Sequence, residues 1–298
     1  MEQLFKVMLA RFPGNNCEHP GEVDFIINFL IQSGRDPRVG SLEHWRLNDT
    51  PVTMSRNRCV VDAIERGVDI LVMVDSDMGP DLIDPTAHWW PRALDFIARR
   101  WNEAPTVIAA PYCGPPPHEN VYIFRWRNYQ SNNPNPDFAL SQFSREEAAE
   151  RRGIEAVAAL PTGLIAIDMR VFTGFPVGGE LLRLPTPWFY YEWEDGRQTH
   201  KSSTEDVTFT RDVALLFGAY GLESLFVDWD TWAVHFKPKA VGKPALTNPG
   251  DLARLFKKAA VSDEEKEKET YHEVAGKTRE LLDQSYSGDD GRAYGVPV

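Results

Sequence analysis

The sequence predicts an α/β protein with a mostly parallel central sheet and helices on both faces. Three observations carry that expectation. Residues 70–74, Ile-Leu-Val-Met-Val, form an unbroken apolar run with β-branched ends, the pattern of a strand buried on both faces. Apolar runs at 4–12 and 106–112 read the same way, and helix-compatible stretches alternate with them. That alternation implies right-handed, parallel connections. The run at 70–74 also stops abruptly at Asp75-Ser76-Asp77, at the carboxyl end of its strand, where sheets of this kind bind ligands.

Each element has a local reason. Residues 4–12 read as the first strand, ended by the turn residues Pro13-Gly14-Asn15-Asn16. Residues 22–32 suit a helix closed by Gly34, and 39–45 a second strand of weak alternation. Thr53 or Ser55 is placed to cap the next helix, which carries Val60, Val61 and Ile64 on one face and ends at Gly67. After the strand at 70–74, residues 82–101 read as a helical region interrupted by Pro85 and Pro91. The strand at 106–112 is stopped by Gly114 and three prolines.

The second half changes character. It reads as an antiparallel strand at 121–126, a polar loop at 128–137, a short charged helix at 145–152 and a strand within 156–168 that contains Thr162-Gly163. Residues 188–193, Trp-Phe-Tyr-Tyr-Glu-Trp, are densely aromatic and lead into a hydrophilic loop at 194–203. Thr204-Glu205-Asp206 then opens a helix, residues 225–234 form a last strand, and His235 follows it. Residues 261–298 hold ten acids against five bases and read as an exposed, charged helical extension with a tail.

Composition narrows the function classes. The hydrophobic and charged fractions, 42% and 26%, are ordinary for a globular protein, and 298 residues suffice for one large α/β domain or two small ones. A net charge of −12 argues against a broad non-specific grip on nucleic acid while leaving room for a local basic groove. Cys17, Cys59 and Cys113 show neither zinc spacing nor a disulfide framework, so reduced core thiols are expected. Residues 4–12 are short and broken by Lys6 and Arg11, unlike a signal peptide. No apolar run approaches the roughly 20 residues that cross a bilayer. The expected location is cytoplasmic.

Asp75 and Asp77 stand two apart at a strand end, so their carboxylates project the same way. Neighbouring carboxylates repel, and burying them unpaired is costly. A positive partner is therefore expected against them. A divalent cation is the economical one, because hard cations take oxygen ligands at about 2.1–2.5 Å. The alternative is two acids ending a strand in solvent.

Asp75-x-Asp77, the Thr162-Gly163 strand, Glu205-Asp206 at a helix start and His235 after a strand line up with Ser55-Arg56-Asn57. Together they resemble the GT-A glycosyltransferases, particularly the family 2-like ones, over roughly residues 4–240. The resemblance implies a Rossmann-like GT-A domain over residues 1–260, with a donor half at 1–118 and an acceptor half at 119–260. It implies a nucleotide-sugar donor, UDP-linked or similar, held by Asp75, Ser76 and Asp77. Asp75 would face the ribose, and Asp77 would be the first ligand of Mn²⁺ or Mg²⁺, with His235 the second and Asp75 a further candidate. Asp81 follows at the offset of a loop residue. Lys237, Lys239 and Lys243 form a basic run suited to a diphosphate, or else a solvated loop.

The resemblance further implies that Glu205 and Asp206 supply the catalytic acids, with Asp206 taking the acceptor hydroxyl's proton in an inverting transfer. The same acids also suit a helix start capped by Thr204. Arg56 would contact the donor, or else lie on a helix surface. Arg11, Phe12 and Pro13 stand where the family binds the nucleobase, and Gly163 would let backbone approach the donor sugar or acceptor. Trp188 and Trp193 would stack on a sugar or base, or else belong to the core. The acceptor stays open between a glycan, a protein hydroxyl and a modified nucleic acid. Two rivals share some of these features. One is a sugar-phosphate nucleotidyltransferase, for which Pro13-Gly14-Asn15-Asn16 is a poor phosphate loop. The other is a non-catalytic nucleotide- or carbohydrate-binding module.

Overall fold

The computed structural model describes residues 3–13, 19–46, 51–80, 88–114, 120–127, 139–194, 198 and 200–236. Asp81, the loop at 128–137, Lys237, Lys239, Lys243 and the extension at 261–298 lie outside the described residues.

The chain opens with β1 (Phe5–Phe12), α1 (Pro20–Arg35), β2 (Val39–Arg46), α2 (Val52–Glu65) and β3 (Ile70–Asp75). A short β4 (Met78–Pro80) follows, then α3 (Trp89–Arg100) and β5 (Val107–Ala109). β6 (Phe124–Trp126) pairs with β7 (Leu140–Gln142) ahead of α4 (Arg145–Glu150), β8 (Ile154–Ala156) and β9 (Leu164–Asp168). After α5 (Arg170–Thr173) come two small antiparallel pairs, β10 (Phe175–Val177) with β11 (Glu180–Leu182), and β12 (Glu192–Trp193) with β13 (Lys201–Ser203). α6 (Glu205–Gly218), β14 (Leu225–Asp228) and β15 (Ala233–His235) complete the described chain.

Seven strands form the central sheet in the order β2-β1-β3-β9-β5-β14-β8. β2, β1 and β3 pair in parallel, as do β5 and β14, whereas β9 and β8 run against their neighbours. The expected mostly parallel sheet is present, with one feature the order of elements did not reveal. β9 enters late in the chain yet inserts between β3 and β5, in the opposite direction.

Period-two alternation divides the core between the two faces of this sheet. Met8, Ala10, Leu71 and Met73 face one side and pack with Cys59 and Val60 of α2 and Phe209 and Val213 of α6. Val7, Leu9, Ile70 and Val72 face the other and pack with Phe25 and Phe29 of α1 and Trp89, Trp90 and Leu94 of α3. Strands covered on both faces need apolar residues at every position, which is why β3 reads as an unbroken run.

Three local expectations are corrected. α2 begins at Val52 with Pro51 at its N-cap, so Thr53 and Ser55 lie inside the helix and cap nothing. Pro91 sits in the first turn of α3, where its missing N–H would have no intrahelical partner anyway, and it does not interrupt the helix. The last strand is two: the carboxylate of Asp228 accepts from Asp230 N and Arg92, turning the chain between β14 and β15. β15 therefore leaves the central sheet and pairs antiparallel with β4, with His235 opposite Met78.

Candidate active site

The carboxyl end of β3, the start of α6 and the second turn of α2 meet at one side chain. Arg56 is 3% exposed, and its Nη1 donates to Glu205 Oε1 at 2.8 Å. Its Nη2 donates to both oxygens of Asp75, at 3.1 and 3.2 Å. The rings of Phe12 and Phe189 flank the guanidinium at 5.7 and 5.9 Å. Arg56 is thus an internal cation and not a helix-surface residue.

Charge and burial compete throughout this cluster. Burial opposes the charge on Arg56, but Asp75, Glu205 and Asp206 outweigh it and hold the guanidinium above its ordinary value. Burial raises the Asp75 carboxyl against the pull of Arg56, and Asp77 adds to the rise. Burial likewise raises Glu205 against Arg56, with Asp206 adding to it. The positive partner expected for the acidic pair is, at Asp75, a protein cation.

Asp77 has a different partner. Its Oδ2 lies 3.1 Å from His235 Nε2, across 158 residues of sequence. The β4–β15 ribbon brings the two together, and Phe236 N donates to Asp77 O at 2.7 Å beside them. A separation of 3.1 Å suits two ligands of one cation, being close to the roughly 3 Å octahedral edge that ~2.1 Å bonds give. Among the described residues, no group of three or more His, Cys, Asp and Glu could hold a metal alone. The Asp77 carboxylate fits Mg²⁺-like ions, which commonly take one or two carboxylates and complete their shell with phosphate and water, and His235 adds an imidazole nitrogen of the kind that transition metals accept.

At the start of α6, Thr204 occupies the N-cap position without a side-chain capping bond. Its hydroxyl donates instead to Asp206 Oδ1, which also accepts from Val207 N at 2.9 Å. Glu205 is committed to Arg56, while Asp206 beside it is only partly buried. Asn57 holds the aromatic segment against this corner. Its Oδ1 accepts from Trp188 N and Phe189 N at 3.0 and 3.2 Å, and its Nδ2 donates to Phe189 O at 2.7 Å. From the other side, Tyr190 donates to Asp212 at 2.7 Å and Thr208 Oγ1 donates to Tyr190 O at 2.6 Å.

A cavity of about 540 Å³ opens along this segment, lined by Thr53, Met54, Arg58, Tyr190, Tyr191 and Trp193 among others. Burial and then the nearby Glu205 carboxylate raise the Tyr191 phenol, so the cavity borders the acidic corner. Trp193 is on this wall. Trp188 is not: its ring packs edge-on against Phe172 at 5.2 Å.

The remaining sequence candidates are tied into the scaffold. Arg11 Nε donates to the fully buried Glu22 at 3.0 Å, linking β1 to α1. Phe12 lies opposite Asp75 in the β1–β3 register and packs near Trp45 at 5.7 Å. Ser76 Oγ donates to Pro13 O at 3.2 Å. Gly163 accepts from Asp75 N at 2.9 Å, so the Thr-Gly strand braces the acidic one directly. Sequence reasoning missed Tyr112. Its ring meets His235 edge-on at 5.0 Å and fills the space a side chain at Gly163 would need. Burial, then Asp75 and Asp206, push its phenol well above the ordinary value. The available signal was its place at the carboxyl end of a predicted strand.

No protein-family model matches the sequence, and no curated protein matches it. Among solved structures, A197 from STIV is similar over 83% of this chain and 100% of its own, at 13% identity and a TM-score of 0.44. GalNAc-T7, solved with UDP, GalNAc and Mn²⁺, is similar over 81% of this chain at 11% identity and a TM-score of 0.41. The chain spans under half of GalNAc-T7, covering 45% of it. HddC from Yersinia pseudotuberculosis is similar over 78% of this chain and 93% of its own, at 9% identity and a TM-score of 0.30. Likeness at this level assigns neither family nor activity.

The raised Glu205 value has a measurable sign. Above its ordinary value of 4.5, an unfolded Glu205 releases a proton that the folded protein still holds. Ionisation of Glu205 therefore works against stability as pH rises through that window. The thermal midpoint of Glu205→Gln, which mimics the protonated acid, should gain on that of the wild type as pH rises above 4.5. A gap that moves the other way would mean that Arg56 more than offsets the burial of Glu205.

Proposed function

We propose that this chain is a metal-dependent glycosyltransferase that moves a sugar from a nucleotide-diphosphate sugar, UDP-linked or similar, to an acceptor hydroxyl. The observation that carries the reading is the 3.1 Å approach of Asp77 and His235 beside the Asp75–Arg56–Glu205 cluster. Chance acids at a strand end have no reason to meet a histidine from 158 residues away and a buried arginine from another helix. The sheet, with Asp75 at the carboxyl end of the parallel strand β3 and Asp77 just beyond it, is also the setting in which a nucleotide is expected.

In this reading Asp77 and His235 hold Mn²⁺ or Mg²⁺, whose chemistry there is to neutralise charge on the leaving nucleotide diphosphate. Asp75, fixed by Arg56, presents a carboxylate toward the nucleotide. Asp206 takes the proton of the acceptor hydroxyl. It is suited to that task because Arg56 engages Glu205 and leaves Asp206 partly exposed at the helix start. The aromatic cavity bordered by Tyr191 and Trp193 receives the acceptor, so Trp193 and not Trp188 is the stacking residue of the pair. An Asp base makes the transfer an inverting one.

Calorimetry with UDP and GDP tests the donor assignment. Binding of at least one is expected with Mn²⁺ present, falling about tenfold or more in Asp77→Ala or on metal removal. No binding of either nucleotide with metal present contradicts the reading. The base assignment makes a separate demand. Asp206→Asn should lower turnover by roughly 10²–10⁴-fold with donor affinity nearly intact. An equal loss of donor binding would remove Asp206 from the base role.

A further inference from the structure

We infer that α1 is a contact surface for a second copy of this chain, two α1 helices packing antiparallel about a twofold axis. The inference is independent of the nucleotide-sugar reading.

α1 is apolar on two faces. Phe25 and Phe29 point into the core and pack with Trp89 and Trp90. Val23, Ile27, Leu30 and Ile31 lie on the other side, each between 38% and 50% exposed. Their i, i+4, i+7, i+8 spacing makes one stripe about 100° wide, the pattern by which a helix meets a partner. Exposed apolar residues scattered singly call for no explanation, but these are not scattered. Of nine large apolar side chains exposed among the described residues, four share this stripe and no other element carries more than two.

The stripe is complementary to itself. Asp24 and Arg35 are exposed beside it, and neither has an ion pair of its own among the described residues. Eleven residues separate them, which is about three turns and ~16 Å, so acid and base stand on one flank toward opposite ends. Val23 and Gly34 share the same spacing within the stripe, and a Cβ at Gly34 would meet nothing within 4 Å. Reversing one helix over the other about an axis near Phe29 sets Asp24 beside the partner's Arg35 and Val23 over the partner's Gly34. The same axis puts Ile27 opposite the partner's Ile31 and brings the two Leu30 side chains together. Parallel pairing would match neither charge. A twofold contact of this kind closes at two copies, and charges at its rim fix direction and register.

Sedimentation velocity of the full chain across about 1–100 µM tests this, a dimer that dissociates within that range being expected for so narrow a contact. Ile27→Glu puts a charge at an exposed helix position. Its circular dichroism spectrum should match the wild type while the dimer Kd rises about a hundredfold or more. Asp24→Arg should weaken the dimer about fivefold to tenfold by setting like charges together, and adding Arg35→Asp should restore it. Should Ile27→Glu alter the spectrum, the charge reversals decide alone. A chain that stays monomeric throughout the range overturns the inference and leaves the stripe to a different partner. A dimer that Ile27→Glu leaves intact places the contact elsewhere, the outer edge of β2 being one such place, and overturns it as well. A dimer weakened by Asp24→Arg and not restored by the double reversal contradicts the antiparallel form.

Discussion

A guanidinium removed from water costs several kcal/mol unless carboxylates surround it, and carboxylates crowded together repel unless a cation lies among them. Arg56 and its acids meet both demands at once. Leaving such a buried charge unpaired typically costs about 3–5 kcal/mol, against about 0–1 kcal/mol for an exposed pair. The Arg56 contacts therefore outrank the surface ion pairs of this chain in what they determine. They tie α2 to the end of β3 and to the first residue of α6, which fixes Asp75 and Glu205 in one corner. Asp206 follows because it is the next residue on the same helix.

The sheet arranges the rest around that corner. β9 runs antiparallel between β3 and β5, and this insertion places Gly163 beside Asp75 and Tyr112 beside Gly163. β15 leaves the sheet for β4, and this departure carries His235 to Asp77. Asn57, next to Arg56 on α2, pins the aromatic segment by its backbone, so one helical turn holds both the acids and the cavity wall. The two core layers on either side of the sheet leave these groups little freedom to rearrange.

What was legible in the sequence was what depends on neighbours in the chain. The apolar run of β3 and the helix start at Glu205 both follow from local periodicity, whereas β3 ends at Asp75 and Asp77 lies in the turn beyond it, where strand alternation no longer sets direction. The partner of Asp75 was not legible, because Arg56 reads as one more helix arginine until Glu205, 149 residues on, is folded against it. The direction of β9 was hidden because a strand buried on both faces has the same composition whether parallel or antiparallel. Trp188 and Trp193 share a motif but not a role, since the clamp at Asn57 turns one toward Phe172 and leaves the other on the cavity. Tyr112 was lost among the apolar residues of its strand. Arg11 looked like a ligand contact from its place after a strand, yet its guanidinium faces Glu22 inside the fold.

The central claim is that Asp77 and His235 form the metal-holding edge of a site whose other edge is the Arg56 cluster. Anomalous diffraction from crystals of the full chain grown with Mn²⁺ and UDP tests it most directly. The account predicts one manganese within about 2.5 Å of both Asp77 Oδ2 and His235 Nε2, with the UDP diphosphate on the same ion. Bound UDP with manganese elsewhere, or with no manganese at that pair, would contradict it.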